Sequence, residues 1–235
     1  MGTLYIVATP IGNLQDITLR AVTVLQSVDA IACEDTRKTG NLLRNLPGSS
    51  GSKRAELISY YEQNELQRIP EIINGLTNGL NIALVSDAGT PAISDPGFKL
   101  IRECIAAGIK VESIPGPSSV VSALVSSGLP TDKFLFVGYL PKKQGKRQNF
   151  LKELAQTITV SKHVRPTVIF FESPYRIVET LHDCLEIFGD IEIAVARELT
   201  KVHEETRKEK ISILLEHFQK TAPKGEFVIL FHLDE

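Results

Sequence analysis

The chain of 235 residues has no tryptophan, one methionine, three cysteines and five histidines. Cys33, Cys104 and Cys184 are odd in number, far apart and set in apolar stretches, which argues against a disulfide framework and fits small core residues in a reducing compartment. The histidines are scattered, with no HxxxH pair and no cysteine at ligand spacing, so no metal site is expected. No apolar run approaches the roughly 20 residues that cross a bilayer. LYIVA near the start is too short for an export signal and lacks its basic flank. Met1-Gly2 opens like a myristoylation signal, but Ile6 stands where that motif needs serine or threonine. These absences predict a soluble, cytoplasmic protein without membrane contact. Neither sign of charge dominates: 26 Lys and Arg against 28 Asp and Glu leave a net charge of −2, so any nucleic-acid contact must be local. The phosphate-binding pattern GxxxxGK[ST] is also missing.

What is present is a regular alternation of short β-rich runs and helical patterns. Strands are expected at 3–9, 29–33, 55–60, 81–85 and 110–114, with helices near 18–28, 36–46, 64–78 and 97–107. At Pro115 the chain reads PGPSS, a rigid turn before a small-residue helix with serine caps. This places a boundary there, between an N-terminal α/β domain (1–115) and a C-terminal one (116–235). Beyond it, strands are expected at 133–139, 166–172, 191–196 and 226–233, with helices near 145–158, 175–188 and 210–220. The charged stretch 198–209, ELTKVHEETRKE, lacks an apolar period and reads as a hairpin or exposed loop.

The most unusual chemistry lies in residues 86–97, SDAGTPAISDPG, directly after the unbroken apolar run NIALV. Such a run suits a strand buried on both faces. The loop holds Asp87 and Asp95, two prolines, two glycines and no lysine or arginine. It therefore suits a neutral or cationic small molecule lying close to the backbone, a sulfonium or ammonium, better than a phosphate. The plainer reading is that Gly89, Pro91, Pro96 and Gly97 only shape a crossover loop. Other post-strand loops are similarly polar: TPIGNL from Thr9, Glu34-Asp35-Thr36-Arg37, YEQNE from Tyr61, ESPYR from Glu172 and RELTK from Arg197.

TPIGNLQDIT, EDTR, the NE of YEQNE, LVSDAGTPAISDPG, PGPSS, GLP, GYLP, FFESPYR, ARELTK and KGE occur in that order between residues 9 and 226. In this series the chain resembles the ribosomal RNA small subunit methyltransferase I family of the tetrapyrrole-methylase superfamily. The resemblance implies two α/β domains of the tetrapyrrole-methylase type with a ligand cleft between them, S-adenosylmethionine as cofactor and a homodimer. It also implies a cytidine ribose 2′-oxygen in the decoding centre of 16S rRNA, within the small ribosomal subunit, as methyl acceptor. Two departures stand out. Gln63 replaces the histidine common in relatives, which counts against an obligatory catalytic histidine there. The sequence also ends soon after KGEFVILF, without the further segment of longer members, an expected weakening of RNA grip.

Under this reading the carboxylates Glu34, Asp35 and Glu172 are the candidates for activating the acceptor hydroxyl, with Arg37 orienting them or holding phosphate. Pro10, Asp87, Gly89, Thr90, Pro91, Ile93, Ser118 and Ser119 are expected against the cofactor. Lys142, Lys143, Lys146 and Arg147, the densest basic cluster, and Arg176 are expected on RNA. Each has a structural alternative. Asp35 or Thr36 caps a helix, Ser173 caps the helix that Pro174 opens, and the lysines line a solvated loop. Two other functions compete: carbon methylation of a tetrapyrrole, and a non-catalytic adenosine-ligand or ribosome-binding module.

Overall fold

In a computed structural model, which describes residues 1–48, 55–160 and 163–233, the chain forms two compact units, Met1–Ser118 and Ser119–Glu235. The PGPSS turn expected to mark the boundary at residue 115 thus straddles the passage from one unit to the next.

The first unit carries a parallel five-stranded sheet: β1 (Thr3–Val7), β2 (Ala30–Cys33), β3 (Glu56–Ser59), β4 (Ile82–Val85) and β5 (Lys110–Ile114), in the order β3-β2-β4-β1-β5. All four residues of β4 and of β2 are buried, as an uninterrupted apolar run demands when helices cover both faces. Helices α1 (Leu19–Ser27), α2 (Thr36–Asn45), α3 (Glu65–Thr77) and α4 (Phe98–Ala106) return the chain between strands. The sheet packs one apolar cluster on each face, around Leu4, Leu84, Ile72 and Leu100 on one side and Val7, Ile31, Val85 and Leu25 on the other.

Strand order fixes where a ligand site can open. From β2 the chain moves outward to β3, whereas from β4 it crosses the other way to β5. Adjacent strands with connections leaving in opposite directions create a crevice at their carboxyl ends. Here that crevice lies between the ends of β2 and β4, where Glu34 and Asp87 emerge.

The second unit holds a mixed sheet: β6 (Phe134–Tyr139), β7 (Thr167–Glu172), β8 (Glu192–Arg197), β9 (Glu205–Lys210) and β10 (Phe227–Phe231), ordered β6-β7-β10-β8-β9. Only β6 and β7 run parallel; the other pairs are antiparallel. Helices α6 (Gln144–Thr159), α7 (Ile177–Phe188) and α8 (Ile211–Lys220) bury one face around Leu151, Phe170, Leu181 and Ile229. Helix α5 (Ser119–Ser126) packs on β10.

The charged stretch 198–209 resolves into a turn plus the edge strand β9, antiparallel to β8. A strand reading ETRKEK has no apolar alternation, but its charges find partners both across to β8 and along β9 itself. Arg197 meets Glu205, Lys208 meets Glu192, and Arg207 lies between Glu205 and Glu209. Charge along an edge strand also discourages pairing with another chain.

Candidate active site

The acidic crevice is built from the first residues after β2 and β4. Asp87 N–H donates to Glu34 Oε2 at 3.3 Å, and Asp35 N–H donates to Asp87 Oδ1 at 3.2 Å. Lys38 Nζ, on the first turn of α2, pairs with Asp87 Oδ2 at 2.7 Å. Burial pushes the Glu34 carboxyl above its ordinary range, and the nearby charges of Asp95 and Asp87 push it further. Asp95 is raised as well, first by burial and then by Asp87, while Ser86 partly offsets this. Asp35 shows the opposite behaviour. Its carboxylate accepts from Arg37 Nε at 3.1 Å and Nη2 at 2.8 Å, and caps α2 by accepting from Arg37 N–H at 2.8 Å. These bonds hold it far below the usual carboxylate range. Glu34 is thus a carboxylate kept basic, and Asp35 one committed to a cap.

Loops after β1, β4 and β5 are tied together beside it. Thr9 and Gly89 exchange backbone hydrogen bonds at 2.9 and 3.0 Å, Thr9 Oγ1 donates to the Ser86 carbonyl at 3.3 Å, and Thr90 Oγ1 donates to the Pro117 carbonyl at 3.1 Å. Gly89 adopts φ +81°, and a Cβ there would lie 3.3 Å from Ile11 Cγ2. Its backbone groups are consumed by Thr9, so the glycine shapes the loop from within. Ala92 and Ser94 hold φ +67° and +61°, a left-handed conformation that non-glycine residues adopt at a cost. Pro91 is buried, Pro10, Asp87, Thr90 and Ser118 are half-buried, and Ile93 is exposed. Ser119 opens α5 in the second unit.

The remaining expected residues lie in the second unit, and three of them, Glu172, Arg176 and Arg147, are held in ion pairs within it. Glu172, buried at the end of β7, accepts from Ser173 N–H at 2.6 Å and Thr180 Oγ1 at 2.7 Å and pairs with Arg176 Nη2 at 2.6 Å. Arg176 also donates to the Leu140 carbonyl at 3.1 Å. This ties the ESPYR turn to the end of β6 and engages both Glu172 oxygens in structural bonds. Lys142, Lys143 and Lys146 are exposed, but only the first two precede α6; Lys146 lies on its first turn, where a loop was expected. Arg147 corrects the four-residue cluster: it is 0% exposed, with Nε donating to Asp183 Oδ2 of α7 at 2.6 Å. Its position one turn into α6 points it at the neighbouring helix, away from solvent and any phosphate.

Sequence reasoning passed over Asp95 and Lys38 as site residues. Asp95 sits in the loop already singled out, and Lys38 lies three residues beyond the Asp35 cap, so both signals were present locally. The ARELTK and KGE motifs also acquire a purpose. Glu198 Oε1 accepts from Lys201 Nζ at 2.9 Å and Glu226 N–H at 3.0 Å, and Gly225, at φ +93°, leaves room for the Glu198 side chain. The hydrogen bond from Lys201 lowers the Glu198 pKa despite burial.

The donor set fits a cationic ligand. Glu34, Asp87 and Asp95 share one crevice with Lys38 as the paired cation, and a positive group entering it relieves the mutual repulsion that raises Glu34 and Asp95. Among the described residues no cluster of His, Cys, Asp and Glu could hold a metal ion, and no helix is long and apolar enough to cross a membrane.

Residues 3–214 match the family model of tetrapyrrole (corrin/porphyrin) methylases, and the chain belongs to that family. Solved structures share the fold: the methyltransferase CobJ (TM-score 0.70, 16% identity, covering 99% of this chain and 95% of that one) and cobalt precorrin-4 methyltransferase (0.67, 17%, 97% and 94%). Within the family, the chain belongs with ribosomal RNA small subunit methyltransferase I. It is 46% identical to that protein of Thermotoga maritima over 98% of both chains. It is also 47% identical to that of Vibrio cholerae over 97% of this chain and 76% of the other.

Proposed function

We propose that this chain transfers methyl from S-adenosylmethionine to the ribose 2′-oxygen of a cytidine in the decoding centre of 16S rRNA. The observation that carries the reading is the near full-length similarity to ribosomal RNA small subunit methyltransferase I of T. maritima. The crevice with its raised Glu34 supplies the chemistry.

Bound S-adenosylmethionine would supply an electrophilic methyl on a sulfonium. The chain's own work is positioning and proton handling. An in-line displacement needs the acceptor oxygen about 3 Å from the methyl carbon on the far side of the C–S bond, and holding it there accounts for much of the acceleration. The loop 86–97, fixed through Thr9–Gly89 and Thr90–Pro117, forms the cofactor wall, with Pro10, Pro91, Ile93, Ser118 and Ser119 along it. Glu34 receives the hydroxyl proton or accepts its hydrogen bond, since a carboxylate whose pKa is raised is a stronger base than one held low. Arg37 orients Asp35 and faces solvent, where it reaches a backbone phosphate. The acidic crevice gathers the cationic donor while the exposed lysines of the second unit gather the anionic acceptor.

Purified chain is incubated with methyl-labelled S-adenosylmethionine and, separately, small ribosomal subunits, naked 16S rRNA and a tetrapyrrole precursor. Label recovered as 2′-O-methylcytidine is the expected result. Label on the tetrapyrrole, or cofactor binding with no transfer to any acceptor, would overturn the reading.

A further inference from the structure

Two aromatic rings stand exposed where the parallel strands β6 and β7 end. Tyr175 is 92% exposed and Tyr139 59% exposed. Tyr139 is held through its ring and Tyr175 through its backbone. Tyr139 packs edge-on against Phe171 at 5.5 Å, in register with it across the two strands. Tyr175 sits in the turn pinned by Ser173 Oγ, which accepts from its N–H at 3.2 Å, and by the Arg176 bond to the Leu140 carbonyl. That last bond joins the segment carrying Tyr175 to the residue after Tyr139. Directly beyond follow Lys142, Lys143 and Lys146, all exposed. The acidic groups facing this end are accounted for: Glu172 is paired with Arg176, Asp183 with Arg147, and Glu179 lies 3.6 Å from Arg147 Nη2. Exposed rings next to exposed lysines match the chemistry of an unstacked nucleic-acid strand, whose bases offer flat faces and whose backbone offers regular negative charge. A protein partner would have no comparable need for both features at once.

We propose that Tyr139 and Tyr175 are a base-stacking platform for single-stranded RNA, with Lys142, Lys143 and Lys146 holding its phosphates. The inference rests on the reading that RNA is the methyl acceptor and adds the contacts that splay and grip the strand on the second unit.

The test uses the full chain and a fluorescein-labelled, unstructured oligocytidine, with anisotropy recorded across a salt series. Tyr139→Ala and Tyr175→Ala should each weaken binding by roughly 5- to 100-fold without changing the salt slope, because stacking carries no net charge. Tyr139→Phe and Tyr175→Phe should bind like wild type. Joint replacement of the three lysines by glutamine should flatten the slope by about 0.7 unit per lost phosphate contact. Alanine variants that bind as tightly as wild type, or phenylalanine variants as weak as the alanine ones, would overturn the proposal. So would alanine variants that change only the mass seen by light scattering, which would make the strip an interface between copies. Wild-type chain that methylates small-subunit RNA while the tyrosine variants bind normally sinks this inference alone. Wild-type chain that neither binds nor methylates RNA sinks the acceptor reading with it.

Discussion

At the scale of single residues, Glu34 and Asp35 are chain neighbours with opposite electrostatics. Glu34 loses water and gains two like charges, so its proton is held more tightly in the folded chain than in the unfolded one. Replacing it with glutamine keeps the shape and removes the base. Glu34→Gln should lower the single-turnover methylation rate at saturating cofactor by about 100-fold; equal rates would move the base elsewhere. The same shift governs stability. A carboxyl whose folded pKa is raised stabilises fully below its unfolded value, 4.5 for Glu34 and 3.8 for Asp95, and that contribution is lost as pH rises through the raised value. The Asp35 contribution runs the other way and is lost only as pH falls below its ordinary 3.8. Above about pH 4.5, Glu34 and Asp95 should therefore make the wild-type chain less stable as pH rises. Urea unfolding should show a flatter pH dependence in the Glu34→Gln, Asp95→Asn double variant, and an unchanged slope would contradict the assignment.

At the scale of elements, α6 and α7 are locked by a buried ion pair. Arg147 meets Asp183 at 2.6 Å, and Gln148 Nε2 donates to the other Asp183 oxygen at 2.9 Å. Charges taken out of water are held only while each has its partner, so removing one leaves the other stranded. Arg147→Met should cost about 3–5 kcal/mol in urea unfolding, and adding Asp183→Leu should restore most of that loss. If instead Arg147→Met left stability intact, the pair would be open to solvent after all. The β8–β9 hairpin uses charge differently. Its ion pairs lie at the surface, where each contributes about 0–1 kcal/mol, so their service is register and edge protection more than stability. The Glu198–Lys201–Glu226 cluster closes the turn at the base of that hairpin.

For the whole molecule, two units divide the chemistry: an acidic crevice on the first and a basic, aromatic end on the second. A homodimer belongs to the proposed reading, and light scattering should then return a mass about twice 25.9 kDa; a single-chain mass at micromolar concentration would remove the dimer from it. Net charge of −2 hides this division completely, because opposite local fields cancel in the sum. The chain binds a cation and a polyanion with separate surfaces under the proposed function, and neither surface needs the total charge to favour it.

The sequence by itself determined the alternation of strands and helices. Expected strands 29–33 and 81–85 became Ala30–Cys33 and Ile82–Val85, because a short apolar run bounded by turn residues is legible locally. It also marked the loops that meet at the crevice, since small residues and carboxylates after a strand are legible one segment at a time. Tertiary structure alone decided which charges stay in water. Arg147 looked like its lysine neighbours until Asp183, 36 residues further along, was brought to it. Glu172 looked like Glu34 until Thr180 and Arg176 took up its oxygens. Only the strand order, with β4 between β2 and β1, set Glu34 beside Asp87. Desolvation and pairing depend on residues distant in the chain, and no local pattern encodes which distant residue will arrive.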